Sequence, residues 1–351
     1  MTVSLAERLA GQAAPPLIVA EMSGNHNGSL ERALAIVDAA AQAGAHALKI
    51  QTYTADTMTI DSRKPGFVIE DENSLWAGRN LYELYEEAHT PWAWHAPIFD
   101  RCKAHGILGF SAPFDPTAVD FLESLDVELY KIASFEIVDI PLIKKVAATG
   151  KPLIMSTGMS SLEEIDEAVE AAKSVGNEQI ILLKCTSTYP APPDATHVSA
   201  VATLANTFGV MAGLSDHTHG IGVALASVAF GARVIEKHFT LSRADGGVDS
   251  AFSLEPHELK SLVDESDRAW RAIGTPELGM RPAEEASLAF RRSLYIVQTM
   301  QAGEVLTAAN LRPIRPGFGL KPKHYEDLLG RRVNQALEAG TPMAWDLVES
   351  D

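Results

Sequence analysis

The chain has 351 residues, 46% of them hydrophobic, enough for two domains or for one large domain with a small companion. Its net charge of -17 repels nucleic acid and anionic lipid, and admits a small anionic substrate only where a site is locally basic. No apolar run nears the ~18 residues of a membrane helix, residues 1–20 lack a secretion-type leader, and Cys102 and Cys185 form no C-x-x-C pair; the expectation is a cytoplasmic protein with no nucleic-acid or membrane partner.

Short apolar, β-branched runs alternate along the chain with segments of helical spacing. The runs predict strands at 17–21, 46–51, 107–111, 128–133, 152–157, 180–185, 209–214 and 233–237. The intervening patterns predict helices at 29–43, 91–105, 116–125, 139–149, 161–174, 197–207, 219–230 and 255–272. Strands that are apolar along their whole length are buried on both faces, as in a parallel sheet covered by helices. Eight strand–helix units in roughly 260 residues predict an α/β fold, a (β/α)8 TIM barrel, with an open doubly wound sheet as the rival. The connection at 53–90 is long enough to be a lid and carries Trp76, Tyr82 and Tyr85. After the last helix the pattern changes: 1–272 is the expected barrel, 273–290 a linker, and 291–351 a small strand- and turn-rich domain.

In a barrel of this kind the chemistry gathers at the carboxyl ends of the strands. Those ends read Glu21; Lys49 and Gln51; Ser111; Lys131, Ser134 and Glu136; Ser156 and Thr157; Thr186, Ser187 and Tyr189; Ser215, Asp216 and His217; and Glu236, Lys237 and His238. His217 and His238 end adjacent strands. They are candidate ligands for a divalent ion, with Glu21 or Asp216 as a carboxylate partner, or else hydrogen-bonded structural histidines. His219 falls where a helix should begin, and a solvated or capping role is expected. Lys49 and Lys131 interrupt apolar strand sequence, and a buried lysine is costly without an anion. The anion is either an ion-pair partner, Glu21 or Glu136, or a bound phosphate or carboxylate assisted by the hydroxyls of Ser134, Ser156 and Ser215. A Schiff-base lysine is a third option. The NHNG stretch at 25–28 reads as a tight turn.

Together the stretches AEMSGNHNGS (20–29), LKIQTY (48–53), YKIASFE (130–136), STGM (156–159), CTSTYPAP (185–192), GLSDHT (213–218), VIEKHFTL (234–241), DSAFSLEP (249–256) and RRSLY (291–295) resemble the sialic acid synthase family, over about residues 15–350. EMSGNHN and the stretch 74–95 lie nearest the branch that makes pseudaminic acid, with the legionaminic and neuraminic branches as alternatives. A non-catalytic glycan-binding barrel is the reading from another class. The resemblance implies a TIM barrel followed by a C-terminal antifreeze-like (SAF) domain, and a homodimer in which that domain reaches over the partner barrel. The family condenses phosphoenolpyruvate with an acylated amino sugar and uses a divalent metal, manganese or magnesium. Carried over residue by residue, the resemblance implies metal binding by His217 and His238, and catalytic roles for Glu21, Lys49, Lys131 and Glu136. It implies phosphoenolpyruvate binding by Lys49, Ser111, Lys131, Ser134, Ser156, Ser187 and Ser215. Sugar contacts fall to Glu21, Gln51, Tyr189, Asp249 and Arg315, the last within RPIRPGFGL (312–320).

Overall fold

The computed structural model describes residues 14–72 and 74–349. Eight parallel strands close into a barrel in chain order: β1 Leu17–Glu21, β2 Ala47–Thr52, β3 Leu108–Pro113, β4 Tyr130–Ile132, β5 Leu153–Ser156, β6 Ile180–Cys185, β7 Met211–Asp216 and β8 Val234–His238. Closure is made by β8 on β1, which places Glu21 beside His238. Helices α1 Leu30–Gln42, α2 His95–Ala104, α3 Pro116–Ser124, α4 Ile140–Ala147, α5 Leu162–Lys173, α6 Ala200–Phe208, α7 Gly222–Ala229 and α8 Pro256–Ile273 connect and cover the strands.

Both strand faces are apolar for the expected reason. Outward residues such as Ile18, Leu48, Ile132, Leu182 and Ile235 pack into one core with Ile36, Ile143, Val169 and Leu259 of the helices. Inward residues Leu17, Val19, Phe110, Leu129, Ile154, Ile181, Leu183 and Val234 form a second core that fills the barrel. Because side chains alternate along a strand, each inward column continues upward two residues at a time. Val19 leads to Glu21, Leu129 to Lys131, Ile154 to Ser156, and Val234 to Glu236 and then His238. The barrel is therefore apolar below and charged at its carboxyl-end mouth.

Local signals start the helices where the strands end. Ser29 accepts from the Arg32 amide at the start of α1, Asp115 caps α3 ahead of Pro116, and Ser161 with Glu164 forms a capping box on α5. The connection after β2 is not structureless: it holds a short helix, Ala55–Met58, a bridge between Val68 and Asn80, and a second helix, Leu81–Ala88. The chain divides into two compact units, Met1–Gly274 and Thr275–Asp351. In the second unit, β9 Ser293–Ile296 pairs antiparallel with β10 Leu311–Ile314 over a core of Leu294, Ile296, Leu311, Val333 and Met343. Residues 282–290 of the expected linker form a 3-10 helix.

Gly213 of β7 sits where the inward column meets its neighbour strand. A Cβ there would lie 2.2 Å from the Val234 carbonyl oxygen and 2.8 Å from Leu183. Backbone cannot swing aside as a side chain can, so Gly213→Ala is expected to destabilise the barrel by about 1–3 kcal/mol. A lower urea midpoint at unchanged slope would register the loss; an unchanged midpoint would mean that the strands have room to part.

Candidate active site

The floor of the mouth is a four-membered charge cluster. Lys49 Nζ lies 2.8 Å from Glu21 Oε2 and 3.7 Å from Glu236 Oε1, and Lys131 Nζ lies 3.3 Å from the same Glu236 oxygen. All four side chains are buried. Burial pulls the Lys49 ammonium down, but the two carboxylates outweigh it and hold its pKa above the usual lysine value. Burial drives Lys131 below its usual value, with Glu236 only partly compensating. Burial raises Glu21 despite Lys49, whereas for Glu236 the two lysines overcome burial and lower it. Lys131 thus pairs with Glu236 rather than Glu136, and Glu236, unassigned by the sequence patterns, is the hub. Its neighbour Ser215 Oγ donates to it at 3.2 Å.

Hydroxyls stand at the ends of β4, β5 and β6: Ser134, Ser156 and Ser187. Ser134 and Ser187 share a 2.7 Å hydrogen bond, and a Cβ on Gly158 would come within 2.1 Å of the Ser187 oxygen. Glycine in STGM is therefore what lets this pair form. Ser156 Oγ is buried with no hydrogen-bond partner among the described residues. An unmatched buried donor and a lysine with one ion-pair contact suit an incoming phosphate or carboxylate. Glu136 lies just beyond β4. Burial, opposed weakly by its backbone hydrogen bond and Lys131, raises its carboxyl to about 7.

The two histidine rings meet at the top of β7 and β8, their centroids 5.4 Å apart and inclined by 64°. The Thr186 carbonyl accepts from His217 Nδ1 at 3.0 Å, which places a proton on that nitrogen. Burial pulls the imidazole pKa down, but Cys185 and this carbonyl outweigh it and raise it, and Nε2 donates an electron pair only in the neutral ring. His238 Nδ1 is buried without a hydrogen bond among the described residues, 3.6 Å from Asp249 Oδ2. Burial and the neighbouring charge of His217 hold His238 well below the usual imidazole value. Two adjacent imidazoles, one oriented by a carbonyl and the other neutral and unmatched, fit two ligands of a divalent ion. Among the described residues no group of three His, Cys, Asp or Glu side chains forms a ready-made cage. Such an ion would need its remaining ligands from water or substrate. Cys185 Sγ lies 4.0 Å from His217 Nδ1.

Several sequence expectations need correction. Ser111 is not at the mouth. Phe110 fills the barrel, so Ser111 points outward, where it donates to the Ile50 carbonyl and shares a hydrogen bond with Thr52; the inward position is Ala112, which has no hydroxyl. Asp216 also points outward and cannot serve the histidines. It pairs with Lys237 at 2.9 Å, and Lys237 also donates to the carbonyls of Thr218 and Gly220, bracing the loop behind His217. Glu21 forms with Lys49 the ion pair that the sequence offered for it. His219 is exposed, in keeping with a solvated role.

Of the remaining sugar candidates, Tyr189 and Asp249 border the histidines. The Tyr189 ring centroid stands 4.3 Å from that of His217 and 5.8 Å from that of Trp76 in the connection after β2, and Trp76 Nε1 donates to the Val248 carbonyl at 2.9 Å. Asp249 accepts from Ser23, and Gln51 Nε2 donates to Glu21 Oε1 at 2.9 Å. Arg315 is an exposed residue of the second unit, just after β10. In the NHNG turn, Asn27 and Gly28 take positive φ as the turn requires, and Asn25 ties the loop to Phe239 and Ser253.

A family model described as the NeuB family matches residues 36–277, and one described as the SAF domain matches residues 291–349. The chain belongs to the NeuB family. Among NeuB relatives, the pseudaminic acid synthase of Campylobacter jejuni subsp. jejuni serotype O:23/36 (strain 81-176) is 43% identical over 323 residues, 92% of this chain and 94% of that protein. The N,N'-diacetyllegionaminic acid synthase of Campylobacter jejuni subsp. jejuni serotype O:2 is 37% identical over 323 residues, 90% of this chain and 95% of that one. The crystal structure of N-acetylneuraminic acid (sialic acid) synthetase from Leptospira borgpetersenii serovar Hardjo-bovis, in complex with citrate, superposes with a TM-score of 0.70 at 33% identity, covering 79% of this chain and 91% of that one. As a NeuB protein this chain is an enzyme, a C–C bond-forming transferase of the nonulosonic acid synthase class, and its second unit is a SAF domain.

The raised Glu136 carboxyl has a signed consequence. Between its ordinary 4.5 and about 7, the folded NeuB chain holds this proton while the unfolded chain releases it. Stability therefore falls as pH rises through that window and levels off above it. Glu136→Gln is expected to remove this part of the slope, seen by comparing unfolding free energies of the two proteins across the window. Parallel curves would show that Glu136 titrates normally.

Proposed function

We propose that this chain is a pseudaminic acid synthase. It condenses phosphoenolpyruvate with 2,4-diacetamido-2,4,6-trideoxy-L-altrose and water, giving pseudaminic acid and phosphate. The observation that carries the proposal is the buried Lys49–Glu21 and Lys131–Glu236 cluster, with the Ser134–Ser187 hydroxyl pair and the unmatched Ser156 hydroxyl at the same ends of the strands as the His217–His238 pair. An anionic donor and an aldehyde acceptor need such neighbouring seats. The choice of product is supported by 43% identity to a pseudaminic acid synthase against 37% to a diacetyllegionaminic acid synthase.

In this scheme Lys49, Lys131, Ser134, Ser156, Ser187 and Ser215 hold the phosphate and carboxylate of the donor, while Gln51, Tyr189 and Asp249 face the sugar. C3 of the enol bonds to the aldehyde carbon, whose oxygen takes up a proton; C2 becomes electron-poor, water adds there, and the tetrahedral carbon expels phosphate as its hydroxyl gives up its proton and becomes the keto group. Glu136, with its value near neutrality, accepts the proton that water gives up. A divalent ion, manganese or magnesium, bound by His217 and His238 would supply Lewis acidity toward the aldehyde oxygen. The working form is a cytoplasmic homodimer in which the SAF domain of one chain carries Arg315 to the sugar of its partner's barrel. No helix among the described residues is long and apolar enough to cross a membrane.

The test supplies phosphoenolpyruvate and manganese with each candidate sugar and follows phosphate release. The altrose derivative should be turned over best. Preference for N-acetylmannosamine or for the legionaminate precursor would assign another product, and no release with any sugar would favour a binding protein. His217→Ala and His238→Ala should each abolish turnover with the circular dichroism spectrum unchanged, and chelation should do the same reversibly. Full activity after chelation would remove the metal from the scheme. Arg315→Ala should raise the sugar KM while leaving the phosphoenolpyruvate KM in place; equal rises would displace Arg315 from the sugar.

A further inference from the structure

Directly after β1, Ser23 adopts φ 46°, the left-handed region that a glycine enters freely and a serine enters under strain. The residue is 4% exposed. Its backbone is held by its surroundings. The Met22 amide donates to the Lys49 carbonyl at 3.0 Å, and a Cβ on Gly24 would lie 2.3 Å from Val248 Cγ2. The turn is thus pressed against residues 248–249. The strain is met by what the side chain does there. Ser23 Oγ donates to Asp249 Oδ2 and accepts from Gln51 Nε2 at 3.1 Å. The same Gln51 nitrogen donates to Glu21 Oε1 at 2.9 Å. With its amide nitrogen spent on Ser23 and Glu21, Gln51 is left with its carbonyl oxygen as the free end. Asp249, occupied through Oδ2, is left with Oδ1.

We infer that Ser23 is a positioning residue for the amino sugar. Its hydroxyl locks Gln51 and Asp249 as a pair of acceptors for N–H and O–H donors, the groups an acetamido sugar carries. The inference rests on the function proposed above and names how that site selects its acceptor. It also accounts for a strained serine at a place where glycine would suit the backbone better: only a hydroxyl can bridge the two acceptor-bearing side chains.

Two variants separate the hydroxyl from the backbone. Ser23→Gly removes both the hydroxyl and the strain, and Ser23→Ala removes the hydroxyl alone. Each should raise the sugar KM about tenfold, the effect of releasing a hydrogen-bonded acceptor pair, while the phosphoenolpyruvate KM stays within about twofold. Thermal unfolding should place Ser23→Gly at or above the wild-type Tm and Ser23→Ala no higher than wild type. A residue that only supported the fold would show the reverse, with activity following stability. Wild-type sugar KM in either variant, or a phosphoenolpyruvate KM that rises in step, would overturn the inference. The measurement uses whichever sugar the wild-type enzyme turns over. A wild-type preference for a sugar other than the altrose derivative therefore refutes the proposed product, and unchanged variants refute the role of Ser23.

Discussion

Two lysines buried at the top of an otherwise apolar barrel are the constraint on which this structure turns. An ammonium cannot be left unmatched at such a place, and loss of one partner from a buried pair costs about 3–5 kcal/mol. Glu21 and Glu236 meet that demand from β1 and β8, the strands whose pairing closes the barrel. The charge cluster and the closure of the sheet are consequently one arrangement. Lys49 is claimed by both carboxylates, whereas Lys131 touches one oxygen at 3.3 Å. That inequality is useful. The first lysine is held by two carboxylates, and the second by a single carboxylate contact, which is the feature the proposed donor seat uses.

The positions of the eight strands were legible because each run is apolar on both faces, and apolarity on both faces has few explanations. Boundaries moved by a residue or two, as at β2 and β7, without changing the order. Polar residues at the strand ends were harder to place, because a cluster of two or three necessarily splits between the inner and outer faces. If His238 faces the mouth, Glu236 must face it too and Lys237 cannot. That parity rule would have found Glu236, and it would have moved Ser111 and Asp216 to the outside. The histidine pair was legible because adjacent strands carry it at the same height.

Ser23 and the partners of Trp76 were out of reach for a different reason. Nothing in a serine's neighbours announces a left-handed backbone, since the surroundings that impose it, Val248 and the β2 carbonyls, lie far away in the chain. Trp76 sits in a stretch without clear period, and its partners are Tyr189 and the Val248 carbonyl. Contacts of this kind arise only after the barrel has brought its loops together.

The tie between Trp76 and Val248 couples access to assembly. Val248 precedes Asp249 and leans on Gly24, so the connection after β2 is tied to the same short stretch that meets Ser23. Swinging that segment away would sever the indole bond and strip Tyr189 of its neighbour. One hydrogen bond therefore joins the connection after β2 to the stretch beside Asp249, so a substitution at either end is felt at the other.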